Sequence, residues 1–148
     1  MPTTPSPARS TLPASEIASR LRLSATRLAR QLRHESGAGL SPSQHSALAV
    51  ISNHGPLTLG ALAEHERVAP PSITKVVSKL EAEGLVTRTA DAADRRICRV
   101  AISAAGAALL EESRRRKTAW LTARVSELDP DRQRRLADAL DVLDELIS

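Results

Sequence analysis

Between Gly84 and Ser103 the spacing of apolar residues changes from a helical period to alternation, and beyond Ser103 it changes back. Val86-Thr87-Arg88-Thr89 and Ile97-Cys98-Arg99-Val100-Ala101-Ile102 alternate like strands, and the polar stretch Asp91 to Arg96 between them suits a turn. The segment therefore reads as a β-hairpin. One hairpin bounded on both sides by helical periodicity constrains the chain to a mostly α architecture. The available core residues agree: Trp120 is the single aromatic residue in 148, which leaves Leu, Ala, Val and Ile to fill an interior built by helix packing. A chain of this length with 41% hydrophobic residues has the size of one domain and needs no division.

Residues 1–13 carry Pro2, Pro5, Pro7 and Pro13 among Ser and Thr, and this composition predicts a flexible N-terminal tail. From Ala14, the spacing of Ile17, Leu21, Leu28 and Leu32 predicts a helix to about His34, ended by Gly37 and Gly39. Ser41 as N-cap and Pro42 at the first helical position open a second helix, which buries Leu48 and Ile51 and stops at Gly55-Pro56. Thr58 caps a third with Leu59, Leu62 and Ala63, and Pro70-Pro71 opens a fourth that runs to Gly84. After the hairpin, Ser103 caps a long helix through Leu109, Leu110, Trp120, Leu121 and Val125. Asp129-Pro130 starts the last, with Leu136, Leu140, Leu143 and Ile147. The chain shows no internal repeat. A lone Cys98 excludes an internal disulfide, and no apolar run suits a signal peptide or a membrane span. The expected setting is the cytoplasm, without a membrane partner.

Charge points toward a polyanion. Lys and Arg number 21 against 17 acids, a net +4, but no polybasic tail exists, so a nucleic-acid contact has to come from placed side chains. The fourth helix, drawn at 100° per residue, puts Ile73, Val76, Val77 and Leu80 on one buried arc. Pro71, Lys75, Ser78 and Lys79 fall opposite, with Ser72 and Thr74 on the flanks, so the outward face offers hydroxyls and two cations and no acid. Hydroxyls bond phosphates or base edges, lysine reaches guanine acceptors, and a helix N-terminus favours phosphate. The hairpin tip that follows carries Asp94-Arg95-Arg96, where the carboxylate can brace one guanidinium while the other projects toward a minor groove.

Other features read as ordinary structure. Glu111 and Glu112 stand four residues before Arg115 and Arg116, so the run Arg114 to Lys117 is expected to form intrahelical pairs. Cys98 shares a strand face with Val100 and Ile102 and is expected as a small buried hydrophobe. His34, His45, His54 and His65 show no zinc-ligand spacing and read as surface histidines; no metal or cofactor is implied. No nucleophile, base and orienter trio, P-loop or HExxH motif is present, so catalysis has no support.

The order of these residues resembles the MarR family of bacterial regulators from about Ile17 to the C-terminus. Leu40-Ser41-Pro42-Ser43-Gln44 is similar to the family's LTxxQ opening of the second helix. Pro71-Ser72-Ile73-Thr74-Lys75 through Leu80-Glu81-Ala82-Glu83-Gly84-Leu85-Val86 resembles its recognition helix and LExxGLV exit, Asp91 to Arg96 its wing, and Ile102-Ser103-Ala104-Ala105-Gly106 its LTxxG start of the fifth helix. The resemblance implies a winged helix-turn-helix with six helices in one domain over residues 14–148. Within it, residues 14–36 and 104–148 are dimerisation helices and 40–103 the DNA-binding lobe. It further implies a homodimer that recognises double-stranded DNA at pseudo-palindromic operators, usually as a repressor. Carried over by position, Ser72, Thr74 and Lys75 read DNA, Arg95 enters the minor groove, and Asp94 with Arg96 forms the brace. A lysine at position 75, where the family commonly has arginine, lacks the fork that reads guanine bidentately. The family also binds small effectors in a crevice of its first, second and fifth helices, which implies Arg27 and His45 as effector-pocket residues. With Phe and Tyr absent that pocket is not aromatic-lined, and Trp120 is expected at the dimer interface. The competing reading is a winged-helix protein-interaction module without DNA binding, which the acid-free outer face of the fourth helix opposes.

Overall fold

A computed structural model describes residues 11–148; of the tail expected over 1–13, residues 1–10 lie outside the described residues. The element order is α1 (Ala14–Glu35), α2 (Pro42–His54), β1 (Leu57–Thr58), α3 (Leu59–Glu66), α4 (Pro70–Ala82), β2 (Val86–Ala90), β3 (Cys98–Ile102), α5 (Ala104–Ser126) and α6 (Pro130–Ile147). The fold is mostly helical, with a winged helix-turn-helix in α2 to β3.

The helix starts follow their capping residues. Ser41 and Gln44 form a reciprocal capping box: the Gln44 N–H donates to Ser41 Oγ at 3.2 Å and the Ser41 N–H to Gln44 Oε1 at 2.9 Å. Thr58 Oγ1 accepts from the Ala61 N–H, and Asp129 Oδ1 from the Arg132 N–H, each cap being worth about 1 kcal/mol.

The sheet has three strands rather than the two of the expected hairpin, in the order β1-β3-β2. β2 pairs antiparallel with β3 from Val86↔Ile102 to Ala90↔Cys98, and β1 adds Leu57↔Val100 and Thr58↔Arg99 on the other edge. Two residues are too few to show alternation, and Thr58 already serves as the α3 cap, so β1 left no periodic signal.

His34 and Glu35 mark the boundary between two compact units. In the second, residues of α2, α3, α4, the sheet and α5 share one core: Leu48, Ile51, Leu62, Val77, Leu80 and Val100 are fully buried, joined by Ile73, Val86 and Leu110. Each such burial stabilises the fold by about 2 kcal/mol. α5 is fixed to the α4–β2 turn at its first residues. Ser103 Oγ donates to the Gly84 carbonyl at 2.6 Å, the Ser103 N–H donates to the Leu85 carbonyl at 3.0 Å, and Gly106 lies directly against that same carbonyl. The helix α6 has no buried residue and leaves Leu140, Val142, Leu146 and Ile147 more than half exposed. In the first unit α1 likewise has no buried residue and exposes Ile17, Leu23 and Leu28.

Candidate nucleic-acid interface

α4 begins with Pro70 and Pro71 in its first two positions, where fixed φ favours helix initiation. Ile73, Val77 and Leu80 are buried and Val76 half-buried, which turns Pro71, Ser72, Thr74, Lys75, Ser78 and Lys79 outward; all six are exposed. Their hydrogen-bonding states differ. Thr74 Oγ1 donates to the Pro70 carbonyl at 3.0 Å, so its proton is engaged and only its acceptor lone pairs face outward. Ser78 Oγ accepts from Arg88 Nη2 at 3.1 Å. Neither Lys75 nor Lys79 has an ion pair among the described residues. The phosphate-binding helix end expected from sequence is altered in one respect: Pro70 and Pro71 have no N–H, and the Ser72 and Ile73 amides both donate to the Ala69 carbonyl. What remains at this end is the field of the helix dipole, without free amide donors at positions 70 to 73.

In the wing, Asp94 Oδ1 accepts from the Arg96 N–H and Nε, and Oδ2 from Arg96 Nη2, each at 3.0 Å. These bonds hold the Asp94 carboxyl below its ordinary range and raise the Arg96 guanidinium. Arg95 is exposed and has no partner among the described residues. The base of the wing carries a residue that sequence reasoning missed. Arg88 sits two positions after buried Val86 and opposite buried Val100, so it points inward, beneath α4. Besides Ser78, it meets Glu81, with Nε 3.1 Å from Oε2 in an ion pair outside hydrogen-bond alignment. Arg88 thus ties the wing to the outer half of α4. The signal was its parity with Val86: an arginine at an inward strand position needs partners on the helix above.

His45 on α2 is half-buried, not on the surface as expected. Its Nε2 lies 3.4 Å from both Ser113 Oγ and Lys117 Nζ of α5, and Ser113 is 1% exposed. Burial, then Lys117 and Arg114, holds the imidazole below its usual value. Arg27 is exposed on α1, on a stretch of surface with Arg30, Gln31 and His34. It belongs to the first unit and His45 to the second. His54 and His65 are exposed, yet the C-terminal turns of α2 and α3 bring their rings to 4.3 Å between centroids. Among the described residues no group of three or more His, Cys, Asp or Glu is arranged to hold a metal ion. Cys98 is half-buried rather than buried, because its partner is Ala90 at the wing end of the ladder, beyond the helices. Trp120 is half-buried with the Arg124 guanidinium 4.8 Å from its ring centroid. Of the i,i+4 pairs expected on α5, Glu112 with Arg116 forms; Glu111 meets Arg114 at i,i+3 instead of Arg115, which goes to Glu112, and Lys117 turns to His45. Among the described residues no helix is long and apolar enough to cross a membrane.

The family model described as MarR family matches residues 40–98. An HTH-type transcriptional regulator of Mycobacterium leprae is 42% identical over 134 residues, covering 90% of this chain and 94% of that protein. Among solved structures, a transcriptional regulator protein from Pseudomonas aeruginosa is similar with a TM-score of 0.81 and 32% identity, covering 93% of this chain and 98% of that one. A MepR mutant from S. aureus bound to an oligodeoxyribonucleotide shares the fold at a TM-score of 0.71 and 17% identity, over 89% of this chain and 98% of that one.

Proposed function

Because the chain belongs to the MarR family of winged helix-turn-helix transcriptional regulators, we propose that it binds double-stranded DNA sequence-specifically. In this reading it acts in the cytoplasm as a homodimer on pseudo-palindromic operators, and represses until a small-molecule or other signal releases it. The observation that carries the reading is the outward face of α4: Ser72, Lys75 and Lys79 stand exposed, with no acidic residue from Pro70 to Leu80, and the wing that follows presents Arg95. A 13-residue helix is about 20 Å long and fits a major groove about 12 Å wide. Ser72, Thr74 and Lys75 are its base-reading candidates, with Pro71, Ser78 and Lys79 on the same face. Arg95 enters the minor groove, and Asp94 with Arg96 sets the tip from which it projects. A fold neighbour bound to an oligodeoxyribonucleotide supports DNA as the partner, and the family usually represses.

The dimer follows from unpartnered apolar surface. Exposed Ile17, Leu23 and Leu28 on α1, and Leu140, Val142, Leu146 and Ile147 on α6, are more than a soluble monomer ordinarily leaves to water. Residues 14–36 and 104–148 are therefore assigned to dimerisation and 40–103 to the DNA-binding lobe. His45, in its cationic setting of Lys117 and Arg114, and separately Arg27 are the residues whose substitution should alter the response to an effector. No metal, cofactor or chemical step is part of the proposal.

The test is selection of bound fragments from the source genome, combined with sedimentation. A recurrent two-fold symmetric sequence and a dimer at micromolar concentration are expected. Fragments without a shared sequence, or a stable monomer, would refute the reading.

A further inference from the structure

Arg67 is the only non-glycine residue among those described with a positive φ. It closes α3 in left-handed backbone, φ 53° and ψ 44°, with its N–H turned back to the Ala63 and Glu64 carbonyls. Glycine adopts that conformation freely, whereas the Cβ of arginine strains it. No contact of its side chain with the described residues compensates. The side chain is exposed and has no hydrogen bond, ion pair or ring contact among the described residues.

Its place in the fold supplies a reason. Arg67 lies three residues before Pro70, the start of α4. Three peptide units reach about 11 Å at most, comparable to the roughly 12 Å width of a major groove. A cation so near in the chain, with the length of its own side chain added, is placed where it can reach a phosphate flanking a groove that holds the start of α4. From Arg67 to Leu80 the chain carries Arg67, Lys75 and Lys79 and no acid. The first turn of α4, moreover, has no amide to give a phosphate: Pro70 and Pro71 lack N–H, and Ser72 and Ile73 donate to Ala69. Apart from the Ala69 N–H before it, an anion at this turn has to be met by a side chain.

We propose that Arg67 is a DNA-backbone contact that grips a phosphate beside the start of α4, in place of the amides that the two prolines remove. The proposal rests on the DNA-binding reading above. A phosphate carries no sequence information, so Arg67 adds affinity equally on all duplexes.

The test compares wild type, Arg67→Gly and Arg67→Lys on a duplex of unselected sequence and on an enriched genomic fragment. Salt is varied between about 50 and 200 mM, and thermal unfolding is recorded for each protein. Arg67→Gly is expected to unfold at a higher temperature than wild type while binding both duplexes about three- to tenfold more weakly at the lowest salt, with a salt slope smaller by about 0.9. Arg67→Lys should keep the wild-type slope. An unchanged slope in Arg67→Gly overturns the proposal, as does a loss confined to the enriched fragment. So does a lysine variant that behaves like the glycine one, since charge would then not be what matters. Failure of the wild type to bind either duplex would instead overturn the DNA-binding reading itself.

Discussion

Replacing Gly106 by alanine probes the junction that fixes α5 to the exit of α4. In an open helical position this change stabilises a protein by about 1 kcal/mol. At Gly106 the added Cβ would fall closer than 3.0 Å to the Leu85 carbonyl oxygen and 2.9 Å from Ile102 Cγ1. The first of these neighbours is backbone, and it is already the acceptor of the Ser103 N–H. Relief therefore requires the first turn of α5 to withdraw from Gly84 and Leu85. Overpacking of this kind costs about 2 kcal/mol, and weakening the two bonds made by the Ser103 N–H and Oγ costs about 1 kcal/mol each. After the gain in helix propensity, the net loss is about 3 kcal/mol, or about 9 °C in Tm for a chain of this size. Urea unfolding followed by circular dichroism measures it, at one fixed protein concentration because the proposed dimer would make stability concentration-dependent. Stability of Gly106→Ala equal to or above wild type would refute the reasoning, since helix propensity alone would then be felt.

Lys75→Ala should weaken binding to an enriched operator by about 1 to 3 kcal/mol and relax preference at one position per half-site; an equal loss on every duplex would make Lys75 a phosphate contact. Arg95→Ala should reduce the salt slope by about 0.9 with folding unchanged, and identical isotherms for variant and wild type would remove the wing from the mechanism. Because burial beside Lys117 and Arg114 depresses the His45 pKa, the unfolded chain takes up that proton first as pH falls. Stability should therefore be fully present above about pH 6.5 and decline below it. His45→Gln should flatten that decline, and an undiminished pH dependence in the variant would show that another group is responsible.

Helix starts were legible because Ser41, Thr58, Ser103 and Asp129 each announce a cap, and the turn of α4 was legible because its apolar arc has a clean period. Periodicity says which side chains face outward but not what their polar atoms do there. Thr74 spends its proton on Pro70 one turn back in its own helix, and Ser78 is held by an arginine ten residues on, at a distance set only when strand β2 packs beneath α4. His45 was misjudged for a similar reason, its neighbours Ser113 and Lys117 coming from α5, 68 and 72 residues later. The strained backbone of Arg67 left no trace at all, because the residue type gives no hint of a positive φ. Strand β1 went unread for want of length.

The paired prolines that open α4 also determine how much freedom this helix has before it meets a partner. Pro70 and Pro71 have fixed φ, and Ala69, restricted by the proline after it, is held at φ −66° and ψ 142°. Three consecutive residues are thus restricted in φ in the free protein, at the end of a helix that would ordinarily fray. Ordering a flexible residue costs about 1 to 2 kcal/mol in conformational entropy. Here that cost falls on folding rather than on association, so the first turn meets a groove already ordered. Discrimination between sequences then reflects the contacts themselves, undiluted by differences in how completely each site orders the helix. The same rigidity limits adaptation: a site whose groove departs from the preset direction of this turn must deform its own DNA to fit.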